Sequence, residues 1–146
     1  MKIIFGCDPN ATGLKESLMA ITQQLGHEVV DFGSDDPLYA NTAIRVARAV
    51  VAGEGDRGVL LCGTGIGMSI AANKVQGAYA ALLTDVYSAQ RSILSNDSNI
   101  ACIGAFTVGN KLAQVLLEIW LGLEFDPDSP SNDKVECYRE YDMHRS

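Results

Sequence analysis

Short apolar runs alternate with longer amphipathic stretches along the whole chain. The runs are rich in β-branched residues and are bounded by turn-forming residues, which predicts five strands. These strands are expected at Lys2–Cys7, Glu28–Phe32, Val59–Cys62, Ala78–Leu82 and Ile100–Ile103. Apolar residues at helical spacing follow each strand, most strongly over Thr107–Leu121. Strands that alternate with helices indicate an α/β fold, in which a five-stranded parallel sheet is covered on both faces.

The polar, proline-bearing segment Glu124–Asp133 follows this core, which spans residues 1–123. Ser129 is expected to cap a last helix, with Pro130 at its first position, that ends near Met143. Residues 124–146 would then form an extended arm and a helix of the same single domain. Such an arm packs on its own domain or reaches a neighbouring subunit, and we expect it to lie at a subunit interface.

Composition narrows the range of partners. The chain has 146 residues and a net charge of −7, and it contains no basic run that could neutralise phosphates, so nucleic acid is not expected as a partner. No apolar run approaches the length of a membrane span, and the N-terminus lacks the pattern of a signal peptide. The four cysteines lack C-x-x-C spacing, so we expect reduced thiols, a cytoplasmic location and no metal.

Gly58–Lys74 is the stretch with the clearest chemical pattern. An apolar strand ends at Cys62, and alternating glycines and an alanine-rich helix follow. Ligands of parallel α/β sheets bind beyond the carboxyl ends of the strands, where glycines let backbone N–H groups approach them. A thiol before a helix N-terminus can act as a thiolate base, and the N–H groups of the loop would stabilise an enediolate oxygen. The pattern favours proton abstraction next to a carbonyl, although an incidental buried cysteine in a strand–turn–helix unit also fits.

Other functions of α/β domains lack their motifs. The first strand is followed by CDPNATG rather than by the G-x-G-x-x-G fingerprint of dinucleotide-binding domains, and no Gly-Lys-Ser/Thr triplet occurs. A receiver domain needs an aspartate where Cys62 stands. A low-molecular-weight phosphatase needs an arginine where Met68 stands.

Several segments together resemble one enzyme family over nearly the whole chain. CGTGIG followed by SIAANK, FGCD at the end of the first strand, and YSAQ and SNDSN before the fifth strand are similar to ribose-5-phosphate isomerase B and galactose-6-phosphate isomerase. The resemblance implies a Rossmann-like three-layer α/β/α subunit in a homodimer, with a tetramer as the alternative, and active sites at the subunit interface. It also implies cofactor-free aldose–ketose isomerisation of a small phosphorylated sugar.

The resemblance also assigns roles to residues. Cys62 would be the base that moves a proton between C1 and C2, and the Thr64 hydroxyl would lie close to the reacting end. The remaining residues implied to contact the substrate are Asp8, Pro9, Asn10, Tyr39, Gly63, Gly65, Ile66, Gly67, Arg91, Ser95, Asn96 and Lys134. Asp8 and Asn96 also fit as turn or cap residues, and Tyr39 as a packing residue.

The chain departs from the family pattern in ways that bear on the substrate. Ser95 stands where the family carries a ring-opening histidine, and Pro9 stands where a second histidine is usual. Two phosphate-binding arginines are replaced by Phe106 and Pro130, whereas Lys134 keeps a positive charge.

Two interpretations of these departures stay open. A tetrose 4-phosphate cannot form a furanose ring and needs no ring-opening acid, so erythrose 4-phosphate fits beside ribose 5-phosphate as a substrate. Alternatively, other cations hold the phosphate, with Arg91 favoured over Lys74 and Arg139, unless these are only solvated surface charges.

Two other classes of function also stay open. The first is an inactive or partner-dependent phosphosugar-binding paralogue, and the second is a nucleotide-binding module. Retention of the thiol and of the glycine loop favours the enzyme.

Overall fold

The computed structural model describes residues 1–146 and shows five strands and six α-helices. The strands are β1 (Lys2–Cys7), β2 (Glu28–Asp31), β3 (Arg57–Cys62), β4 (Ala80–Leu82) and β5 (Ile100–Gly104). The helices are α1 (Thr12–Gln24), α2 (Tyr39–Val51), α3 (Ile66–Ala72), α4 (Val86–Leu94), α5 (Asn110–Leu121) and α6 (Asn132–His144). A short 3-10 turn, Pro9–Ala11, links β1 to α1.

The five strands form one parallel sheet in the order β2-β1-β3-β5-β4. The chain passes from β3 through α3 to the sheet edge at β4, and β5 then returns to lie between them. Gly58 pairs in register with Ile100, and Cys62 pairs with Gly104. Because every strand runs in the same direction, all segments that follow a strand begin at one edge of the sheet. We call this the C-terminal edge, and the opposite one the N-terminal edge.

Helices cover both faces of the sheet, so the predicted three-layer α/β fold is confirmed. Phe5 on one face packs in the cluster that contains residues of α1, α4 and α5, whose largest buried side chain is Trp120. Ile4 on the other face packs with residues of α2 and α3. This alternation is the period of two that a strand imposes on its side chains. Each fully buried side chain of this size contributes about 1.5–3 kcal/mol to burial free energy.

The last helix begins later than the sequence predicts. Helix α6 starts at Asn132 with Ser131 at its cap position, so the prediction of Ser129 as the cap and Pro130 as the first helical residue is wrong. The Ser129 N–H donates instead to the Asp126 carbonyl at 3.0 Å, within a turn, and its buried hydroxyl has no partner.

Smaller differences concern other boundaries. Helix α5 starts at Asn110 rather than at Thr107, because Gly109 is extended and interrupts the helical backbone. Val108 is nevertheless buried in the core, which explains why it fits the helical spacing of the apolar residues that follow it. Strand β2 ends one residue before Phe32, and β4 starts two residues after Ala78.

Helix α6 packs on its own chain across the N-terminal edge, beside the edge strand β4. The buried Asp142 carboxylate accepts hydrogen bonds from the Gly77 N–H at 2.7 Å and from the Tyr79 hydroxyl at 3.2 Å. Burial and the charge of Asp142 raise the pKa of Tyr79 to about 12, so its hydroxyl stays protonated at neutral pH. A place for α6 at a subunit interface stays a prediction. No helix combines the length and apolar character needed to cross a bilayer.

Candidate active site

Cys62 lies at the end of β3, the middle strand of the sheet, and its side chain is 5% exposed. The chain turns back over the sulfur, and the Gly65 N–H donates to the Cys62 Sγ at 3.1 Å. Gly65 has a φ of +77°, a left-handed conformation that favours glycine. The turn therefore directs a backbone dipole at the thiol.

Neighbouring segments hold the loop from Gly63 to Gly67 from several sides. A Cβ atom at Gly104, which ends β5, would lie 2.6 Å from the Thr64 carbonyl carbon, so these two backbones are in direct contact. The Phe106 ring lies against Gly63, where an added Cβ would meet it at 2.8 Å. The Tyr39 hydroxyl lies against Gly67. The position of the loop is therefore set by β5 and by the start of α2.

The loop uses some of its hydrogen-bonding groups internally and leaves others unpaired. The Thr64 Oγ1 accepts from the Ile66 N–H at 3.3 Å, so the hydroxyl proton of Thr64 stays available for a ligand. The N–H groups of Gly63, Thr64 and Gly67 make no hydrogen bond within the chain. These groups can hold a negative oxygen next to Cys62, as in an oxyanion hole.

Asp8 follows β1 and lies beside the end of β3. Its N–H donates to the Leu61 carbonyl at 2.9 Å, which fixes it next to Cys62. One carboxylate oxygen accepts from the Asn10 N–H at 2.6 Å and caps the turn that Pro9 begins, so the cap role considered from the sequence is present. The second oxygen makes no hydrogen bond within the chain and can bind a hydroxyl.

The other cysteines of the sheet are poor candidates for the base. Burial raises the pKa of the Cys102 thiol, with the nearby Cys62 as a second cause. Burial also raises the pKa of the Cys7 thiol, although the charge of Lys15 opposes this effect. Both thiols are therefore held in the protonated form.

A second group of predicted site residues lies around a cavity beside β4. Arg91 and Asn96 line this cavity of about 570 Å³ together with residues of β4 and α6. The Arg91 Nε donates to the Ser95 hydroxyl at 2.7 Å. Lys134 is exposed on α6, one turn before Tyr138, which also lines the cavity.

One chain does not bring the two groups together. Cys62 is level with Gly104 at the C-terminal edge, whereas Asn96 precedes Ile100, which is level with Gly58. Four strand residues separate these levels, which amounts to about 13 Å along the sheet. A ligand on Cys62 therefore cannot contact Asn96 of the same chain.

Two features of the site had no counterpart in the sequence analysis. Phe106 was considered only as the loss of an arginine, yet its ring contacts the glycine loop. Tyr138, which the sequence does not single out, and Arg139, which the sequence offers only as a cation for the phosphate, hold the segment that carries Asn96. Both relationships join residues far apart in the chain, and no local pattern signals them.

Comparison with known proteins agrees with the resemblance drawn from the sequence. A family model described as ribose/galactose isomerase matches residues 3–137. D-erythrulose-4-phosphate isomerase 2 of Mycolicibacterium smegmatis is 44% identical over 92% of this chain and 93% of its own length. Ribose-5-P isomerase B of Listeria innocua is 43% identical over 98% of each protein. The structure of Clostridium thermocellum ribose-5-phosphate isomerase B superposes with a TM-score of 0.93, at 39% identity, over the full length of both chains.

Replacement of Gly104 by Ala tests whether β5 sets the position of the loop. The new Cβ meets the Thr64 backbone, so the loop must shift. We expect the free energy of unfolding to fall by about 1–3 kcal/mol, as for other overpacked sites. We also expect Cys62 to react faster with a thiol reagent, in a Cys137→Ser background that removes the exposed thiol.

Gly109→Ala is the matched control, because nothing lies within 4 Å of a Cβ at that position. It should leave the reactivity of Cys62 unchanged and lower the free energy of unfolding by no more than about 1 kcal/mol, because Gly109 is the N-cap residue of α5 and alanine caps a helix less well than glycine. If Gly104→Ala unfolds and reacts like the wild type, the loop is not set by β5.

Proposed function

The chain belongs to the ribose/galactose isomerase family, and we propose that it interconverts a phosphorylated aldose and its ketose without a cofactor, with Cys62 as the base. One observation carries this proposal: the Cys62 sulfur lies directly under a loop with three unpaired N–H groups. A base beside donors for a developing oxyanion is the arrangement that proton abstraction next to a carbonyl requires.

The proposed reaction moves one proton between neighbouring carbons. The Cys62 thiolate takes the proton from C2 of the aldose, and the electrons of the C–H bond form a C1–C2 double bond while the C1 oxygen becomes negative. The N–H groups of Gly63 and Gly67 stabilise this oxygen. The Thr64 hydroxyl passes a proton from the C2 oxygen to the C1 oxygen. Return of the proton from the thiol to C1 leaves the ketone at C2, so the reaction is balanced without an oxidant.

The substrate is proposed to be a tetrose 4-phosphate, with ribose 5-phosphate as the alternative. In a tetrose 4-phosphate the O4 atom is esterified, so no furanose ring forms and no acid is needed to open one. The position beside Asn96 fits this case, because a guanidinium and a hydroxyl, those of Arg91 and Ser95, occupy it in place of an imidazole, and both types of side chain are poor general acids. The name of the Mycolicibacterium relative refers to this substrate class.

We further propose that each active site is shared between two copies of the chain. Asp8, Tyr39 and Cys62 would come from one subunit, whereas Arg91 and Asn96 would come from the other. A twofold axis can place the C-terminal edge of each chain against the second group of its partner, which creates two equal sites. Exposed apolar side chains on the segments that follow β2, β3, β4 and β5 support a partner at this edge. They are Leu38, Ile66, Val86, Tyr87 and Phe106.

Arg91 is proposed to hold the phosphate. Its two terminal nitrogens make no hydrogen bond within the chain, whereas Arg139 is paired with Asp97 and Glu136. Arg91 also lines the cavity that Asn96 borders, whereas Lys74 does not. A guanidinium matches the geometry of phosphate oxygens better than an ammonium does.

The first prediction from the proposed function concerns the base and the sugar together. Wild type and Cys62→Ala are incubated in D₂O with erythrose 4-phosphate, ribose 5-phosphate, allose 6-phosphate and galactose 6-phosphate, and ketose formation is followed by NMR. We expect deuterium at C1 or C2 with the wild type only, and the largest kcat/KM for erythrose 4-phosphate. Cys102→Ala, which removes another buried thiol, should keep the activity.

The possible outcomes separate the alternatives. Faster turnover of ribose 5-phosphate than of the tetrose phosphate would reject the substrate assignment alone. Equal exchange in wild type and Cys62→Ala would reject the base. Ligand-dependent melting without turnover of any sugar would instead indicate a binding module.

The second prediction tests the shared site. As purified homodimers, Cys62→Ala is expected to be nearly inactive, and Asn96→Ala is expected to keep only a small, measurable part of the wild-type activity. A heterodimer of the two variants can be isolated with two different tags. One of its sites then carries both substitutions, and the other site carries neither. It should therefore recover about half of the wild-type activity per dimer. If the heterodimer is as inactive as the two homodimers, Cys62 and Asn96 of the same chain belong to one site, and the shared site is rejected.

The third prediction concerns the phosphate. A charge-assisted hydrogen bond contributes about 1.5–3 kcal/mol, so Arg91→Gln should raise KM for the sugar phosphate by about tenfold or more. The value of kcat should change less, because the phosphate does not react. Arg48→Gln removes an exposed arginine of α2 and serves as the control. An unchanged KM in Arg91→Gln would exclude this role.

A further inference from the structure

In the turn between α4 and β5, residues 95–99, every side chain except that of Asn96 makes a hydrogen bond or an ion pair within the chain. The Ser98 hydroxyl accepts a hydrogen bond from the Trp120 indole at 3.0 Å. The Asn99 side chain accepts from the Tyr79 N–H at 2.8 Å and donates to the Gly77 carbonyl at 2.9 Å. The side chain of Asn96 is exposed and makes no hydrogen bond within the chain. The turn thus presents Asn96 to a ligand from a fixed backbone.

Helix α6 contacts this turn at two consecutive positions. The Tyr138 hydroxyl donates to the carbonyl oxygen of Asn96, and the Arg139 guanidinium pairs with the Asp97 carboxylate. Asp97 has a φ of +48° and is the only residue other than glycine in the left-handed region. This conformation is uncommon for a residue with a side chain, although aspartate adopts it more readily than most, and the contacts from α6 hold the backbone of Asp97 in it.

The same helix is itself fixed to the segment that supports the other end of the turn. Asp142 is bonded to the Gly77 N–H and to the Tyr79 hydroxyl, and Asn99 is bonded to the backbone of the same two residues. Arg145 pairs with Asp142 at 2.9 Å. Helix α6, the Gly77–Tyr79 segment and the turn therefore form one connected network of hydrogen bonds.

We propose that Tyr138 and Arg139 are positioning residues of the isomerase, which hold the turn so that Asn96 faces the substrate. This inference rests on the proposed function, in which Asn96 binds a sugar hydroxyl. Helix α6 lies at the opposite edge of the sheet from Cys62 of its own chain. In a shared site it would therefore act on the reaction at the partner's thiol. The C-terminal helix thus helps to align the substrate and also packs beside the edge strand β4.

A double-mutant cycle tests this role. Arg139→Gln removes the contact with Asp97, and we expect it to lower kcat/KM for the sugar phosphate by about tenfold, since small displacements of aligning groups have effects of this size. Tyr138→Phe should act in the same direction. Arg139→Lys keeps the ion pair and should retain most of the activity. Glu136→Gln, which removes the other and more exposed partner of Arg139, should retain all of it.

The decisive measurement is made in an Asn96→Ala background. If Arg139 acts through Asn96, adding Arg139→Gln there should change kcat/KM by less than about twofold, because the group it positions is already absent. The full tenfold loss in that background would overturn the proposal, as would wild-type kcat/KM in both Arg139→Gln and Tyr138→Phe. Melting temperatures of all variants show whether a loss of activity follows from unfolding.

The proposed function and this inference fail in different ways. An Asn96→Ala variant as active as the wild type removes the sugar-binding role of Asn96, and the positioning role falls with it. A strongly impaired Asn96→Ala variant together with fully active Arg139→Gln and Tyr138→Phe variants leaves the proposed function intact and rejects only the role of α6.

Discussion

The common direction of the five strands is the constraint on which the rest of this structure depends. In a parallel sheet, a residue that follows a strand and a residue that precedes one lie at opposite edges. Asp8, Tyr39 and Cys62 follow strands, whereas Ser95 and Asn96 precede β5. The sheet alone therefore divides the candidate site residues into two groups. No side-chain movement can join them within one chain, so the division itself favours a site built from two copies.

The glycine loop shows how the backbone around a reactive group can be fixed without side chains. Gly104 brings the end of β5 against Thr64, and Gly65 takes the left-handed conformation that turns its N–H toward the sulfur. Both features need the absence of a Cβ atom. The loop therefore keeps its shape through contacts with β5 and α2, and its unpaired N–H groups are available to a ligand without reorganisation. Donors fixed in this way stabilise a developing charge more effectively than mobile ones do.

The sequence predicted those parts of the fold that have a local cause. Apolar runs and glycine stops located all five strands, and the run that ends at Cys62 is the middle strand of the sheet. The strand order had no local signal, because it depends on where β5 enters the sheet. The sequence places Val108 in a helix because a buried residue in a turn can keep helical spacing. It predicts Ser129 as a helix cap because a serine before a proline is typical of a helix start. The contacts of Phe106 with Gly63 and of Arg139 with Asp97 join distant segments, so only the folded chain reveals them.

The pair formed by Arg91 and Ser95 connects the architecture with the choice of substrate. A cyclic sugar must gain a proton on its ring oxygen as the ring opens, which requires a group that gives up a proton near neutral pH. A guanidinium keeps its protons far above that range, and a serine hydroxyl is a far weaker acid than imidazolium. The pair can donate hydrogen bonds and carry a positive charge, but it cannot deliver the proton. In the proposed reaction, a site with this pair beside Asn96 would suit a sugar that is already open and that carries an anionic group, and these are two properties of the proposed tetrose 4-phosphate.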